Sequence, residues 1–459
     1  MRILFAIPTF FILFLSLAFG QQKNSNLRLP DTPTGQHVEA YLKAFNSADQ
    51  EAMRIFFQEH ASKSSLNEVP VEQRLSRFHQ MKQRLESLEL KKVVDASPQS
   101  ISIVAQAKSG ALVQLNFEFE SQPPQGLIRI MVEDLGGGER SQTSMPRMSS
   151  DAEVVRAATS YLDSLVSNGE FSGVVLLARR GKPLFERAYG LADRERRVPN
   201  RINTKFNIGS INKSFTKIAI TQLANAGKLS LKDPIAKFLP QYPNKEAAQK
   251  VTIQHLLDMS SGIGDFFGDR YGATPKEKLR TLKDYLPLFA DKPLEFEPGS
   301  KRRYSNGGYV VLGLIIERAS GLDYYDYVRE NIYKRAGMLE TESYEKDRNI
   351  PGLAVGYTRE EGKDSKLQSN YATLPGRGSS AGGGYSTVHD LLKFINALKD
   401  RKLISTEAQG GLGIAGGAPG LNAAVEWDVS GDSVVIVLCN LDPPSAETVA
   451  RQIRAWLPR

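Results

Sequence analysis

The sequence predicts two folded parts, a small α+β domain over residues 31–135 and a larger α/β domain over 151–459 built on one antiparallel sheet flanked by helices. Three observations carry this. Residues 31–135 show helical periodicity first and strand-like runs afterwards, the order of an α+β unit. Residues 151–459 show strand-like runs at both ends with helical segments between, which implies one sheet completed by both ends of the segment. Between them, residues 136–150 hold Gly136-Gly137-Gly138 among polar residues, a flexible linker composition. With 459 residues, 41% of them hydrophobic, the chain can supply two cores.

Taken in order, residues 1–20 carry Arg2, an apolar run to Phe19, and Ala18-Phe19-Gly20, the small-x-small pattern of a cleaved secretory signal peptide. The alternative is an uncleaved anchor, for which the run is marginal in length. No cysteine follows the run, against a lipoprotein anchor, and the expected location is periplasmic or extracellular. In the small domain His37–Phe45, Gln50–His60 and Val71–Leu88 read as amphipathic helices. Ser100–Ala107, Leu112–Glu120 and Leu127–Val132 read as strands. The stretch Tyr41–Asp49 resembles the opening helix of NTF2-like, cystatin-type folds; that likeness implies a cone able to hold a ligand, with a structural or docking role favoured.

The larger domain opens with a helix over Asp151–Asn168. Strands Gly173–Arg179 and Leu184–Leu191 follow, as a hairpin around Arg180-Gly181-Lys182-Pro183. Helices are predicted at Ser210–Ala226, Ile253–Met259, Gly308–Ala319, Tyr324–Ala336 and Val388–Leu398. The end returns to strands, Leu421–Asp428 and Ser433–Leu438, and closes on a helix over Ala446–Leu457.

Composition narrows the chemistry. The formal charge of +8 is spread along the chain, consistent with solubility and mild attraction to anionic polymers. No basic patch is interleaved with aromatics, so nucleic acid is not the expected partner. The five histidines, His37, His60, His79, His255 and His389, lack metal-ligand spacing; neither a zinc centre nor any cofactor is expected. Cys439 is the only cysteine and follows the apolar run Val434–Leu438, as an inert buried thiol does.

The chemical signal lies in Phe206–Lys217, which sets Ser210 and Lys213 at S-x-x-K spacing. Three residues are nearly one helical turn, so both side chains share a face. An amine beside a hydroxyl can relay its proton, and a helix N-terminus favours developing negative charge. Ser214/Lys217 and Ser343/Lys346 repeat the spacing, so the pattern alone is weak; its bland reading is a capped helix with a solvated lysine. Context strengthens the first match: Tyr304-Ser305-Asn306 follows Pro298-Gly299 and precedes the apolar run Tyr309–Ile316, and Gly416-Gly417-Ala418-Pro419-Gly420 leads into a strand. Tyr242-Pro243-Asn244 also fits Y-x-N but lies in a polar loop.

With these motifs residues 151–459 resemble the serine beta-lactamase-like family, which includes class C beta-lactamases, DD-peptidases, D-aminopeptidases and related esterases. Further matching segments are Phe171–Leu176, Val251–Leu257, Ser260-Ser261-Gly262, Phe296–Gly299 and Ala381–Thr387. The resemblance implies a beta-lactamase/transpeptidase-like fold with the serine at the seam between sheet and helices. It implies Ser210 as nucleophile, with its backbone N–H as one oxyanion donor. Lys213 would take or shuttle the proton and hold Tyr304 at a low pKa, making Tyr304 the general base; Lys301, Arg302 and Arg303 could add to that field, though surface solvation is the favoured reading of all three. Asn306 would bind the substrate amide or the lysine, and Gly417 would give the second oxyanion N–H.

The chain departs from the family at the third motif. Where the family carries Lys or His, this tract begins Ile414-Ala415-Gly416-Gly417, and Ser405–Gly413 is shorter than usual. Met259 stands where many relatives carry histidine. Three readings follow: an exported serine hydrolase acting on esters, D-amino-acid amides or beta-lactams; a penicillin-binding or peptidoglycan-sensing protein that acylates but turns over poorly; and a pseudoenzyme. The expected partner is a small-molecule or peptidoglycan-derived substrate. Substrate choice is assigned to the loops Gly264–Thr274 and Glu360–Arg377.

Overall fold

Side-chain caps start the first helices. Thr32 accepts from the N–H of Gly35 and opens α1 (Pro33–Asn46), and Asp49 accepts from that of Glu51 and opens α2 (Gln50–His60). The computed structural model describes residues 28–47, 49–68, 71–120, 122–134, 148–359, 366–404, 414–428 and 432–458. The leader reading at 1–20, most of the linker, and Ser405–Gly413 lie outside the described residues. The chain divides into two compact units, Met1–Gln142 and Thr143–Arg459.

In the first unit α3 (Lys63–Glu68) and α4 (Val71–Leu85) follow, then an antiparallel meander of β1 (Leu88–Ser97), β2 (Ser100–Ala107), β3 (Leu112–Phe119) and β4 (Leu127–Asp134). Ile101, Ile103 and Ala105 on β2 and Val113, Leu115 and Phe117 on β3 turn alternate side chains onto Tyr41, Phe45, Phe56 and Phe78. Two features differ from the sequence reading. The third predicted helix stops at Leu85, and its last residue, Leu88, begins β1, a strand the sequence does not announce. β1 is an edge strand, mostly exposed beyond Leu90, with register shifts at Leu90/Lys92 and Val93/Asp95 that break the period-two pattern.

The second unit begins with α5 (Asp151–Ser167), whose N-cap Ser150 accepts from the N–H of Glu153. A tight turn at Arg180-Gly181, both left-handed with φ +49° and +75°, joins β5 (Gly173–Arg179) to β6 (Lys182–Tyr189). Pro183 lies inside β6 rather than in the turn, which is tolerated because β6 is a sheet edge. From the far end of the chain come β7 (Ile414–Ala418), β8 (Leu421–Trp427) and β9 (Ser433–Cys439). The sheet order is β7-β8-β9-β5-β6, antiparallel throughout, with Val437 opposite Val175. Strands from both ends therefore do complete one sheet.

Each central strand is buried on both faces. Val175, Leu177, Val435 and Val437 pack on α5 and α9 (Ser445–Trp456) through Val154, Leu162, Val449 and Ile453. Val174, Leu176, Val434 and Ile436 face the other way. There they meet α6 (Asn212–Asn225) and α8 (Val388–Lys399) in the larger core cluster, with α7 (Asn306–Ser320) behind. This accounts for the unbroken apolar runs that mark β5 and β9 in the sequence. Predicted helix Tyr324–Ala336 follows one path but holds a π-helical stretch, Arg329–Tyr333. No helix among the described residues is long and apolar enough to cross a membrane.

Candidate active site

A two-residue strand, Phe206–Asn207, pairs with Tyr385–Ser386 and delivers the chain to a 3-10 turn, Gly209–Ile211, that runs straight into α6. Ser210 sits in that turn. Asn207 Oδ1 accepts from the N–H of Gly209 at 2.9 Å, and Gly209 takes φ +49°. Lys213, one turn on, is 6% exposed because Thr216 and Ile220, three and seven residues further, share its face of α6 and are fully buried.

As an ammonium, Lys213 donates to three oxygens: Ser210 Oγ at 3.2 Å, Asn306 Oδ1 at 2.7 Å and the carbonyl of Ala381. Three consecutive carbonyls are fastened to α6 in this way. Ser379 O accepts from Asn212 Nδ2, Ser380 O from Thr216 Oγ1, and Ala381 O from Lys213. Burial pushes the Lys213 amine down to about 7; Asp265 opposes that shift and Lys217 adds to it.

Tyr304 precedes α7, whose N-cap Ser305 accepts from the N–H of Gly308 at 2.8 Å and donates to Gly264 O at 3.1 Å. Tyr304 is 53% exposed, and its hydroxyl donates to Ser210 Oγ at 2.6 Å. Asn306 turns its other amide end away, Nδ2 donating to Asp265 Oδ2 at 2.7 Å.

One expectation needs correction. Tyr304 is not held at a low pKa: Lys213 Nζ lies over the ring face, 4.7 Å from its centre, and desolvation raises the phenol, the Ser210 hydrogen bond only partly opposing it. At neutral pH the phenol therefore keeps its proton and is set to donate a hydrogen bond. The three basic residues before Tyr304 do not gather at it. Lys301 and Arg302 are exposed, and Arg303 pairs with Glu295 at 2.9 Å.

β7 passes beside the serine turn. A Cβ on Gly416 would stand 2.1 Å from Ile208 O and 2.7 Å from Ser210 N, and one on Gly209 would stand 3.1 Å from Gly417 N. The tract is glycine because two backbones meet there. Ile414, at the start of β7, packs against the core cluster as an ordinary apolar side chain. The alternative pair Ser343/Lys346 does not form such a site: Ser343 is buried with its hydroxyl unpartnered, while Lys346 donates to Leu374 O. No group of three or more metal-ligating side chains occurs among the described residues.

The Beta-lactamase family profile matches residues 158–413. The chain belongs to the beta-lactamase family. It is 30% identical over 291 residues to the putative penicillin-binding protein PbpX of Bacillus subtilis (strain 168), a match that covers 59% of this chain and 71% of that protein. It is 31% identical over 255 residues to esterase EstB of Burkholderia gladioli, covering 49% and 65%. The crystal structure of a penicillin binding protein from Bacillus halodurans superposes with a TM-score of 0.58 at 32% identity, over 64% of this chain and 98% of that one. The chain spans about half the length of several other curated relatives.

The beta-lactamase-like motifs thus lead to Ser210, Lys213, Tyr304 and Asn306, which the fold brings together, with Gly417 on the strand alongside. Sequence reasoning missed two partners. Asp265 was open to detection, because it closely follows the matched Ser260-Ser261-Gly262 segment. The Ala381 carbonyl has no side-chain signature.

Proposed function

We propose that this chain is a serine hydrolase that takes an acyl group onto Ser210. The observation that carries the reading is the contact set of Lys213. Asn306 Oδ1 and Ala381 O are acceptors only, so a neutral amine spends its two N–H groups on them. Its lone pair is then left facing Ser210 Oγ. As Oγ attacks a carbonyl carbon, its proton passes to Lys213 and the carbonyl electrons move onto oxygen, where the N–H groups of Ser210 and Gly417 are the candidate donors. When the scissile bond breaks, Tyr304 gives its phenolic proton to the leaving group, and solvent at the half-exposed phenol relays the Lys213 proton back to it. Water repeats the sequence in reverse and frees Ser210.

The apolar Ile414 favours neutral acyl groups, in esters or amides, over substrates with a carboxylate beside the scissile bond. Among the relatives, one bears the name esterase and another putative penicillin-binding protein; the lost strand cation inclines the reading toward the former. A penicillin-binding role with poor turnover is the second reading, supported by the same Ile414 in a site otherwise intact. The leader-like residues 1–20 support export.

The test labels the protein separately with a fluorophosphonate and a fluorescent penicillin, maps each adduct by mass, and follows hydrolysis of a short-chain neutral ester. The hydrolase reading expects the fluorophosphonate on Ser210 and ester turnover. A stable penicillin adduct without ester turnover selects the second reading. Label on Ser214 or Ser343 in place of Ser210 overturns the site.

A further inference from the structure

Lys213 is useful as a base only if its lone pair points at Ser210, and that depends on which end of the Asn306 amide it meets. An amide presents an acceptor on one end and two donors on the other. With Oδ1 toward Lys213 the amine donates to it; with Nδ2 there, Lys213 would have to accept instead, and its lone pair would be lost to Ser210. We propose that Asp265 is a positioning residue: by accepting from Asn306 Nδ2 it holds the amide with Oδ1 toward Lys213, and so reserves the Lys213 lone pair for Ser210.

The geometry is specific. Asp265 Oδ2 takes Nδ2 of Asn306 at 2.7 Å and its backbone N–H at 3.4 Å, while Oδ1 takes the N–H of Phe267 at 3.1 Å. An ionised carboxylate is an acceptor only, so it admits one orientation of the amide. The loop bearing Asp265 is fixed independently. Gly264 O accepts from Ser305 Oγ at 3.1 Å, and a Cβ on Gly307 would meet that carbonyl at 2.4 Å, so the second residue of α7 is glycine where the loop presses against it. The groups facing Lys213 are the rings of Tyr304 and Tyr309, Asp265 across Asn306, and Lys217 along α6. Asp265 is the carboxylate in this set, and it raises the amine against the lowering effect of burial.

This role rests on the reading of Ser210 as nucleophile, so the test pairs a chemical readout with one that needs no activity. Full-length parent, Asp265→Ala and Asp265→Glu are compared. The Lys213 13Cε resonance is titrated by NMR, and Ser210 acylation by a fluorophosphonate is timed across pH. In Asp265→Ala the midpoint is expected to fall below the parent's value of about 7. The acylation limb should move with it, and the plateau rate should drop roughly tenfold to a hundredfold through loss of alignment. Asp265→Glu, with the carboxylate kept, should recover part of both. A folded Asp265→Ala protein with the parent's plateau rate overturns the proposal, whether or not its midpoint moves. So does a reduced plateau with an unmoved midpoint and limb, which would mark loss of packing alone. If the parent resists the fluorophosphonate, the hydrolase reading fails, while an unmoved Lys213 midpoint would still count against Asp265.

Discussion

Tyr304 Oη lies 2.6 Å from Ser210 Oγ, and the same oxygen is 3.2 Å from the Lys213 amine. The serine oxygen thus accepts a hydrogen bond from a phenol while its own proton is free to point at a neutral amine. Acceptance from Tyr304 and donation to Lys213 act together, because a hydroxyl that accepts a hydrogen bond carries both without competition.

Tyr304→Phe keeps the ring over which Lys213 packs and removes only the hydroxyl. The fold should persist and Ser210 acylation should slow by roughly two to four orders of magnitude. Stopped-flow or timed labelling checks this, and acylation at the parent rate would remove Tyr304 from the proton route.

The acylation rate should rise with pH through a midpoint near the Lys213 value of about 7, because the working form of this amine is neutral. Below that midpoint the rate should fall about tenfold per pH unit. A profile flat from pH 5 to 8 would exclude Lys213 as the base.

Burial also makes Lys213 a pH-dependent cost to folding. Its folded value, about 7, lies below the unfolded value near 10.4, so the unfolded chain binds more protons between those limits. Stability conferred on the neutral form is therefore present above the upper limit and is lost as pH falls toward the lower one. Replacing Lys213 by Met removes this dependence. Chemical denaturation at pH 9.5 and pH 7 should show the variant gaining on the parent at the lower pH, even though it no longer acylates.

Gly416→Val forces a branched side chain against Ile208 O and Ser210 N, both within 2.7 Å of its Cβ position. Overpacking of this kind costs roughly 1–3 kcal/mol, so a lowered melting temperature is expected together with loss of most Ser210 labelling. A variant that labels at the parent rate would show that β7 is free to retreat without harm.

Ile414→His or Ile414→Lys introduces a positive charge at the start of β7. A hydrogen bond to a charged group contributes roughly 1.5–3 kcal/mol, so turnover of a carboxylate-bearing substrate should rise roughly tenfold or more, and a neutral ester should gain little. Equal turnover of penicillins and neutral esters by the parent would place the cation elsewhere and overturn the strand alignment.

Much of the site is legible in the sequence because its chemistry is borne by side chains at fixed spacings. Ser210 and Lys213 are bound by the geometry of one helical turn, and Tyr304 and Asn306 by the start of another helix. What escapes the sequence depends on tertiary contact. Asp265 reaches Asn306 only because Gly307 lets its loop come close, and the Ala381 carbonyl is a backbone group that every residue has. The protonation state of Tyr304 is misjudged for a related reason: a cation lowers a phenol when it meets the oxygen, and Lys213 meets the ring instead. In the first unit β1 is missed because an edge strand with two register shifts has no alternation to read.

The sheet order has a consequence for the order of events during synthesis. β9, residues 433–439, lies between β8 and β5, so the middle of the sheet is made after the other four strands. Until it emerges, β5 has no neighbour on that side, and β7 has no platform on which to approach Ser210. A nascent chain carrying Ser210, Lys213, Tyr304 and Asn306 therefore lacks a seated strand beside its nucleophile until residues 433–439 have emerged. Pairing Val175 with Val437 closes a very long loop, a slow step in folding. Reactivity at Ser210 should switch on late and abruptly, as a property of the finished sheet.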